Sequence, residues 1–308
     1  MRTTQMPSRL TAVLLAFVVV TLWSSSWVLI KLGLEDIPPL TFAGLRYFVA
    51  FVAVLPFSLT ASSRRALAGL SRRSWLLLGA LGLTLYAVGV GGQFVALVYL
   101  PTVTTRLLFA FNTIVVALLA GALLREPPTP LQWGGVIVAM LGIYCYFHPV
   151  DIPASELAGV ASALVGMLGF ALGTLLGREV ARSGTISPLL VTSVSMGVGS
   201  LLLLGYGLAV QGLPPISIGN WLMILWLGVV NTALTFVLWN HSLRTLTAVE
   251  SNIITNVMIV EIAVLGWLFL GEHLMLIDVA GLGLVIAGTI MVQLRRRGSE
   301  GTGAGQPG

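Results

Sequence analysis

Ala248–Leu270 reads AVESNIITNVMIVEIAVLGWLFL, an apolar run interrupted near its middle by Glu261. Its length suits a helix crossing the ~30 Å hydrocarbon core of a bilayer. A carboxyl at that depth costs roughly 2.5–3.5 kcal/mol on insertion scales, so Glu261 is expected to face a bundle interior or an aqueous cavity rather than lipid tails.

The run has an echo. Shifted by 146 positions, Thr102–Leu124 lies on Ala248–Leu270 without a gap. In the same register Leu97 meets Leu243, Leu100 meets Leu246, Val103 meets Val249, Ala117 meets Ala263, Leu119 meets Leu265 and Leu124 meets Leu270. Beyond the run, Glu126 meets Glu272, Gly135 meets Gly281 and Gly142 meets Gly288. Two copies of one plan are expected, an arrangement that many transporters use.

The composition fits a chain solvated by lipid. Of 308 residues, 57% are hydrophobic and 9% charged, too few charges to cover a water-exposed surface of that size. The net charge of +5 comes from Arg residues in short runs between apolar segments, the pattern of topology signals rather than of a nucleic-acid interface. Cys145 is the single cysteine, which excludes an intrachain disulfide and leaves no cysteine-based metal site in view. His148, His241 and His273 lie near different segment ends without ligand spacing, and Asp occurs only at 36, 151 and 278. No metal and no cofactor is expected.

Ten membrane spans are expected, at 10–31, 40–60, 75–98, 103–124, 130–148, 156–177, 187–210, 219–241, 248–270 and 275–294, separated by short breaks rich in Pro, Gly and Ser. With the N-terminus in the cytoplasm, all of the 16 basic residues except Lys31, Arg46 and Arg106 fall on the cytoplasmic side. Both termini are therefore placed in the cytoplasm. Five spans per half is an odd number, so the halves are inverted with respect to the bilayer. The expected organisation is an all-α membrane protein of ten transmembrane helices in two inverted five-helix repeats. Residues 1–9 form a cytoplasmic tail, 10–148 the first repeat, 156–294 the second, and 295–308 a disordered cytoplasmic tail.

Several stretches carry a resemblance. WSSSWVLIK (Trp23–Lys31), PPLTFAGLR (Pro38–Arg46), Arg125-Glu126, LQWGG (Leu131–Gly135) and Gly142 in the first half resemble an EamA domain. LWNHSLR (Leu238–Arg244), Glu261 and GWLFLGE (Gly266–Glu272) resemble one again in the second. The resemblance covers about residues 10–294 and implies the drug/metabolite transporter superfamily without implying a substrate. The chain departs from the pattern at Ile262, where a proline is usual, and near Asn112, where another is missing.

The candidate substrate-binding residues are Trp23, Ser24, Arg46, Tyr86, Gln93, Asn112, Asn231, Thr235 and Trp239. Tyr86 and Gln93 belong to a stripe with Gly82 and Gly89 at helical spacing, which the 146 offset lays on Gly228, Thr232, Thr235 and Trp239. Small and polar residues on one face suit a wet wall, and they suit tight helix packing as well. The others are polar or aromatic residues in mid-span. Glu261 is the candidate coupling group, with Asn252 and Asn256 on another face as interhelical hydrogen-bond partners. Lys31, Arg46 and Arg106 form an outer cationic group suited to the carboxylate of an amino or organic acid, although Lys31 also suits snorkelling to headgroups. The ridge Ser162, Gly166, Gly169, Gly173, Gly177 is read as packing, as are Gly135/Ala139 and Gly283/Ala287. Glu126 and Glu272 are read as helix-start acceptors.

Taken together, these features describe a secondary transporter that exports a small polar metabolite, an amino acid or related compound, across a bacterial-type inner membrane by alternating access. The proton is the candidate coupling ion. Its partners are the solute and the bilayer, not nucleic acid, and it acts as a monomer or homodimer. No phosphate-binding loop is present, so gradients would supply the energy. A passive facilitator is the alternative. A membrane-embedded transferase fits less well, because it would want a cluster of acidic or His residues that this sequence lacks.

Overall fold

The computed structural model describes residues 8–58, 60–124, 129–146, 153–182, 186–243, 245–246, 248–272 and 275–293, and the regular structure among them is entirely helical. The first half contains α1 (Arg9–Gly33), α2 (Pro39–Ser58), the short α3 (Ala61–Ala68), α4 (Arg72–Leu81), α5 (Gly91–Tyr99), α6 (Thr102–Leu124) and α7 (Pro130–Tyr146). The second contains α8 (Leu157–Arg182), α9 (Pro188–Gln211), α10 (Ile218–Leu225), α11 (Thr235–Ser242), α12 (Ala248–Leu270) and α13 (Leu276–Gln293). A π-helical stretch, Gly82–Val90, joins α4 to α5 in one continuous rod, and Trp226–Leu234 joins α10 to α11 in the same way. The two π stretches occupy equivalent places in the repeats.

Among the described residues, six helices are long and apolar enough to cross a membrane: Arg9–Gly33, Pro39–Ser58, Arg72–Tyr99, Ala154–Val180, Pro188–Gln211 and Ile218–Trp239. The other four expected spans hold α6, α7, α12 and α13, whose apolar stretches among the described side chains run over Thr102–Val116, Pro130–Tyr146, Ile254–Leu270 and Leu276–Val292. Of the expected tail 1–9, Ser8 caps α1 and Arg9 begins it, whereas residues 1–7, the expected tail 295–308 and Glu126 lie outside the described residues.

Helix starts are written locally. Ser8, Ser71, Ser187 and Ser217 accept from Thr11 N, Ser74 N, Leu190 N and Asn220 N, with Pro188 at the first turn of α9. Thr129 and Gln132 form a reciprocal box at the start of α7: Thr129 N donates to Gln132 Oε1 at 2.8 Å and Gln132 N to Thr129 Oγ1 at 3.3 Å. The start of α6 is capped from the other half. Glu272 accepts from Thr102 N at 2.6 Å, Thr102 Oγ1 at 2.9 Å and Val103 N at 3.4 Å. This is the helix-start role expected of that carboxylate.

The helices pack so that exchanging the two halves reproduces the arrangement. α8 lies on the α4–α5 rod as α1 lies on the α10–α11 rod, α6 meets α8 as α12 meets α1, and α2/α9 and α7/α13 pair equivalent helices with each other. The equivalent pairs run antiparallel, which is the signature of inversion. Between α7 and α13, Gly135 faces Gly288 and Gly142 faces Gly281; a Cβ at Gly142 would lie 2.6 Å from Gly281 O, and one at Gly288 would lie 2.5 Å from Gly135 O. Between α2 and α9, Gly44 meets Leu204 while Gly207 meets Leu40 and Thr41. The ridge on α8 packs as expected: Gly166 lies over Gly92 (a Cβ there would be 2.6 Å from Gly166 Cα), Gly169 over Gly89 and Gly173 over Leu85. Gly283 and Ala287 do not pack. Both are exposed, and a Cβ at Gly283 meets nothing within 4 Å. The touching row on α13 is Gly281 and Gly288, two turns apart.

Gly142→Leu or Gly288→Leu is expected to lower the melting temperature in detergent by forcing α7 and α13 apart, an overpacking cost of about 1–3 kcal/mol. Gly283→Ala should leave it unchanged.

Candidate functional site

A cavity of about 280 Å³ lies between the two halves. From the first half come Trp23, Ser26 and Trp27 on α1, Arg46 and Tyr47 on α2, and Gln93 on α5. α6 adds Arg106, Phe109 and Asn112, which sit three residues apart and therefore share a face. From the second half come Phe170 on α8, Asn231, Thr232 and Phe236 at the π stretch and α11, and Met258 on α12. The volume falls just below the roughly 300–1,000 Å³ of typical small-molecule pockets, which suits a compact metabolite.

Hydrogen bonds and ring contacts hold the wall. Trp23 Nε1 donates to Thr235 Oγ1 at 2.9 Å, and its ring lies 5.3 Å from Trp239 and 6.4 Å from Phe236. Asn231 donates through Nδ2 to Leu22 O and, at 3.2 Å, to Ser25 Oγ, which ties the second-half π stretch to α1. The Arg46 guanidinium carbon sits 5.3 Å from the centre of the Tyr47 ring, and Arg46 Nε donates to Thr232 Oγ1 at 3.3 Å. Thr232 in turn donates to Leu227 O, five residues back, at 2.8 Å. That spacing is the π turn itself.

Of the nine residues expected to bind substrate, Trp23, Arg46, Gln93, Asn112 and Asn231 line this cavity. The other four stand behind or beside its wall. Thr235 accepts from Trp23, and Trp239 packs on the Trp23 ring. Tyr86 is buried against Tyr47, 5.5 Å between ring centres, and over Gly199 of α9. Ser24 is fully buried; its hydroxyl oxygen lies 2.9 Å from Val20 O and 2.7 Å from Glu261 Oε2, and its single proton goes to the carboxylate, the nearer acceptor. Glu261 is half-buried in the contact between α1 and α12, and its second oxygen accepts from Thr21 Oγ1 at 2.9 Å. It is not part of the cavity lining, although Ser24 adjoins Trp23 and Met258 lies one turn from Glu261. Of the interhelical pair expected on α12, Asn256 is buried, and the side chain of Asn252 lies outside the described residues.

The cationic trio separates. Lys31 Nζ is taken by the carbonyls of Leu97 at 2.6 Å and Leu100 at 2.9 Å, at the C-terminal end of α5, whereas Arg46 and Arg106 both line the cavity. Trp27, a mid-span aromatic singled out in the sequence beside Trp23, also lines the cavity; residues that sequence reasoning missed include Tyr47, next to Arg46, and the rings of Phe109, Phe170 and Phe236. The spacing of Phe109 between Arg106 and Asn112 was the available signal for the α6 face.

A profile of the EamA-like transporter family matches residues 10–147 and 157–294. The chain is similar to the uncharacterized transporter YoaV of Bacillus subtilis (strain 168), 24% identical over 293 residues that cover 91% of this chain and 96% of that one. It is also similar to the uncharacterized inner membrane transporter YedA of Escherichia coli (strain K12), 25% identical over 290 residues covering 90% and 89%. An uncharacterized transporter of Archaeoglobus fulgidus is 25% identical over 249 residues, 80% of this chain and 84% of its own. A crystal structure superposes with a TM-score of 0.64 at 15% identity, covering 91% of this chain and 96% of that chain, a likeness of fold.

In a Cys145→Ser background, Gln93→Cys is expected to react with a small water-soluble thiosulfonate, because its side chain borders the cavity. Ser24→Cys, fully buried behind the wall, should react at least about tenfold more slowly.

Proposed function

The chain belongs to the EamA-like transporter family, and on that premise we propose that it is a secondary transporter exporting a small polar metabolite, an amino acid or related compound, by alternating access. One observation carries the reading: a polar and aromatic cavity at the contact between two inverted halves, with walls drawn from both. Rocking one half against the other can expose such a place to either side in turn. The relative described as an inner membrane transporter supports the same location here, and the distribution of basic residues supports termini in the cytoplasm.

For coupling, Glu261 is the proposed proton-binding group. Its ionised form accepts the hydroxyls of Thr21 and Ser24, and it makes no ion pair among the described residues. The helices packed on α12 carry Arg9 and Lys31 on α1, Arg106 on α6 and Asp278 on α13. Protonation would turn one acceptor oxygen into a donor and weaken the α1–α12 contact directly behind Trp23. The position of Glu261 outside the cavity lining also favours a second reading, a facilitator that moves its solute with no coupling ion.

Counterflow in proteoliposomes with amino acids, nucleobases and amines is expected to exchange at least one class; exchange of none would remove the transport reading. Glu261→Gln is expected to abolish the acceleration by an imposed pH gradient while keeping counterflow at symmetric pH. Acceleration intact in that variant would remove Glu261 as the coupling group, and no acceleration in the unaltered chain would leave the facilitator.

A further inference from the structure

Two guanidiniums face the cavity, and no carboxylate lines it. Arg46 is 5% exposed, and among the described residues its one hydrogen bond is the long one from Nε to Thr232. Arg106 makes no ion pair among the described residues, and its Nε is buried without a hydrogen-bond partner. Charges in a membrane interior otherwise pair with one another or with backbone carbonyls, as Lys31 does with Leu97 and Leu100. The two arginines therefore lack the counter-charge that their depth demands.

Two further polar atoms on the same wall lack partners, and they are of the opposite kind. The side-chain oxygens of Asn112 and Asn231 are buried and accept no hydrogen bond among the described residues. For Asn231 the orientation is fixed, since its Nδ2 is already committed to Leu22 O and Ser25 Oγ. A buried polar atom left without a partner costs about 1–3 kcal/mol, and here the orphaned atoms belong to residues that line one cavity.

We propose that the cavity takes its solute as a net anion: a carboxylate held between Arg46 and Arg106, with hydroxyl or amide donors of the same molecule turned to the oxygens of Asn112 and Asn231. The inference rests on the transport reading above and names the substrate class within it. Guanidinium forks suit a planar carboxylate. A net positive cavity disfavours amines and gives a zwitterion less than it gives an acid, because the ammonium finds amide oxygens but no carboxylate. Hydroxy acids and N-acylated or acidic amino acids carry both required features, and the rings of Trp23, Trp27 and Phe109 accept an apolar or aromatic remainder.

Counterflow with the full chain in proteoliposomes tests this, using malate, lactate and mandelate, each beside its own carboxamide, with glycine and ethanolamine as the zwitterion and the amine, and chloride as competitor. Carboxylates are expected to exchange about tenfold or more faster than their carboxamides. That preference should be lost in Arg106→Gln and partly kept in Arg46→Lys, with elution as a single species checking that each variant folds. Exchange of carboxamides, glycine or ethanolamine at rates equal to the carboxylates overturns the anion assignment and leaves transport standing. Carboxylate exchange unchanged in Arg106→Gln overturns the assigned pairing, and chloride inhibiting fully at equimolar concentration overturns the organic acid in favour of a simple anion. No exchange of any solute overturns the inference together with the transport reading.

Discussion

The interior of a bilayer offers no water, so each polar group placed there must be met by another part of the same chain. Many hydroxyls bond back to their own helix, but among the described residues the side-chain hydrogen bonds between distant segments mostly cross from one half to the other. Trp23 is met by Thr235, Ser24 by Glu261, Arg46 by Thr232, and Leu22 O by Asn231. Nearer the membrane faces, Gln211 accepts from the first amides of α2, and Gln132 donates to Val292 O. The polar residues are thus what hold the halves in register, while glycine contacts set how closely the helix backbones approach. The cavity is the stretch of this seam where the meetings are incomplete.

Much of the fold was legible because a repeat leaves a fixed register. The 146-residue offset that lays Gly135 on Gly281 and Gly142 on Gly288 identifies the four glycines that pack α7 on α13, crossed in pairs as an antiparallel contact requires. The α8 ridge was legible for the same reason, since four-residue spacing of small side chains has one common use in lipid. Gly283 was misjudged because one small residue says nothing of which face touches a neighbour; it lies two residues from the contact row and looks outward.

The site was legible only in part, and the π stretches explain much of the remainder. The stripe from Gly82 to Gln93 assumes an even 3.6-residue period. A π turn adds a residue to the turn and rotates the side chains beyond it to a new face. Gln93 therefore reaches the cavity while Tyr86 turns to α9, and in the second half Thr232 lines the wall while Thr235 and Trp239 support Trp23 from behind. Glu261 illustrates a different gap. Its depth in the apolar run predicts that it needs partners, but depth does not say whether they are hydroxyls of a neighbouring helix or the contents of a cavity.

The two ends of the seam are fastened unequally. At one end Glu272 grips the first amides of α6 across the halves, and within the first half Lys31 of α1 grips the last carbonyls of α5, contacts made by charges at partly buried positions. At the other, Arg9 meets Glu250 in a pair whose arginine side chain is 79% exposed. Solvated pairs of that kind are worth about 0–1 kcal/mol, whereas charge-assisted bonds to backbone are worth roughly 1.5–3 kcal/mol each. The helices at the Glu272 end are thus clasped more firmly than those at the Arg9 end, and pulling them apart there costs more.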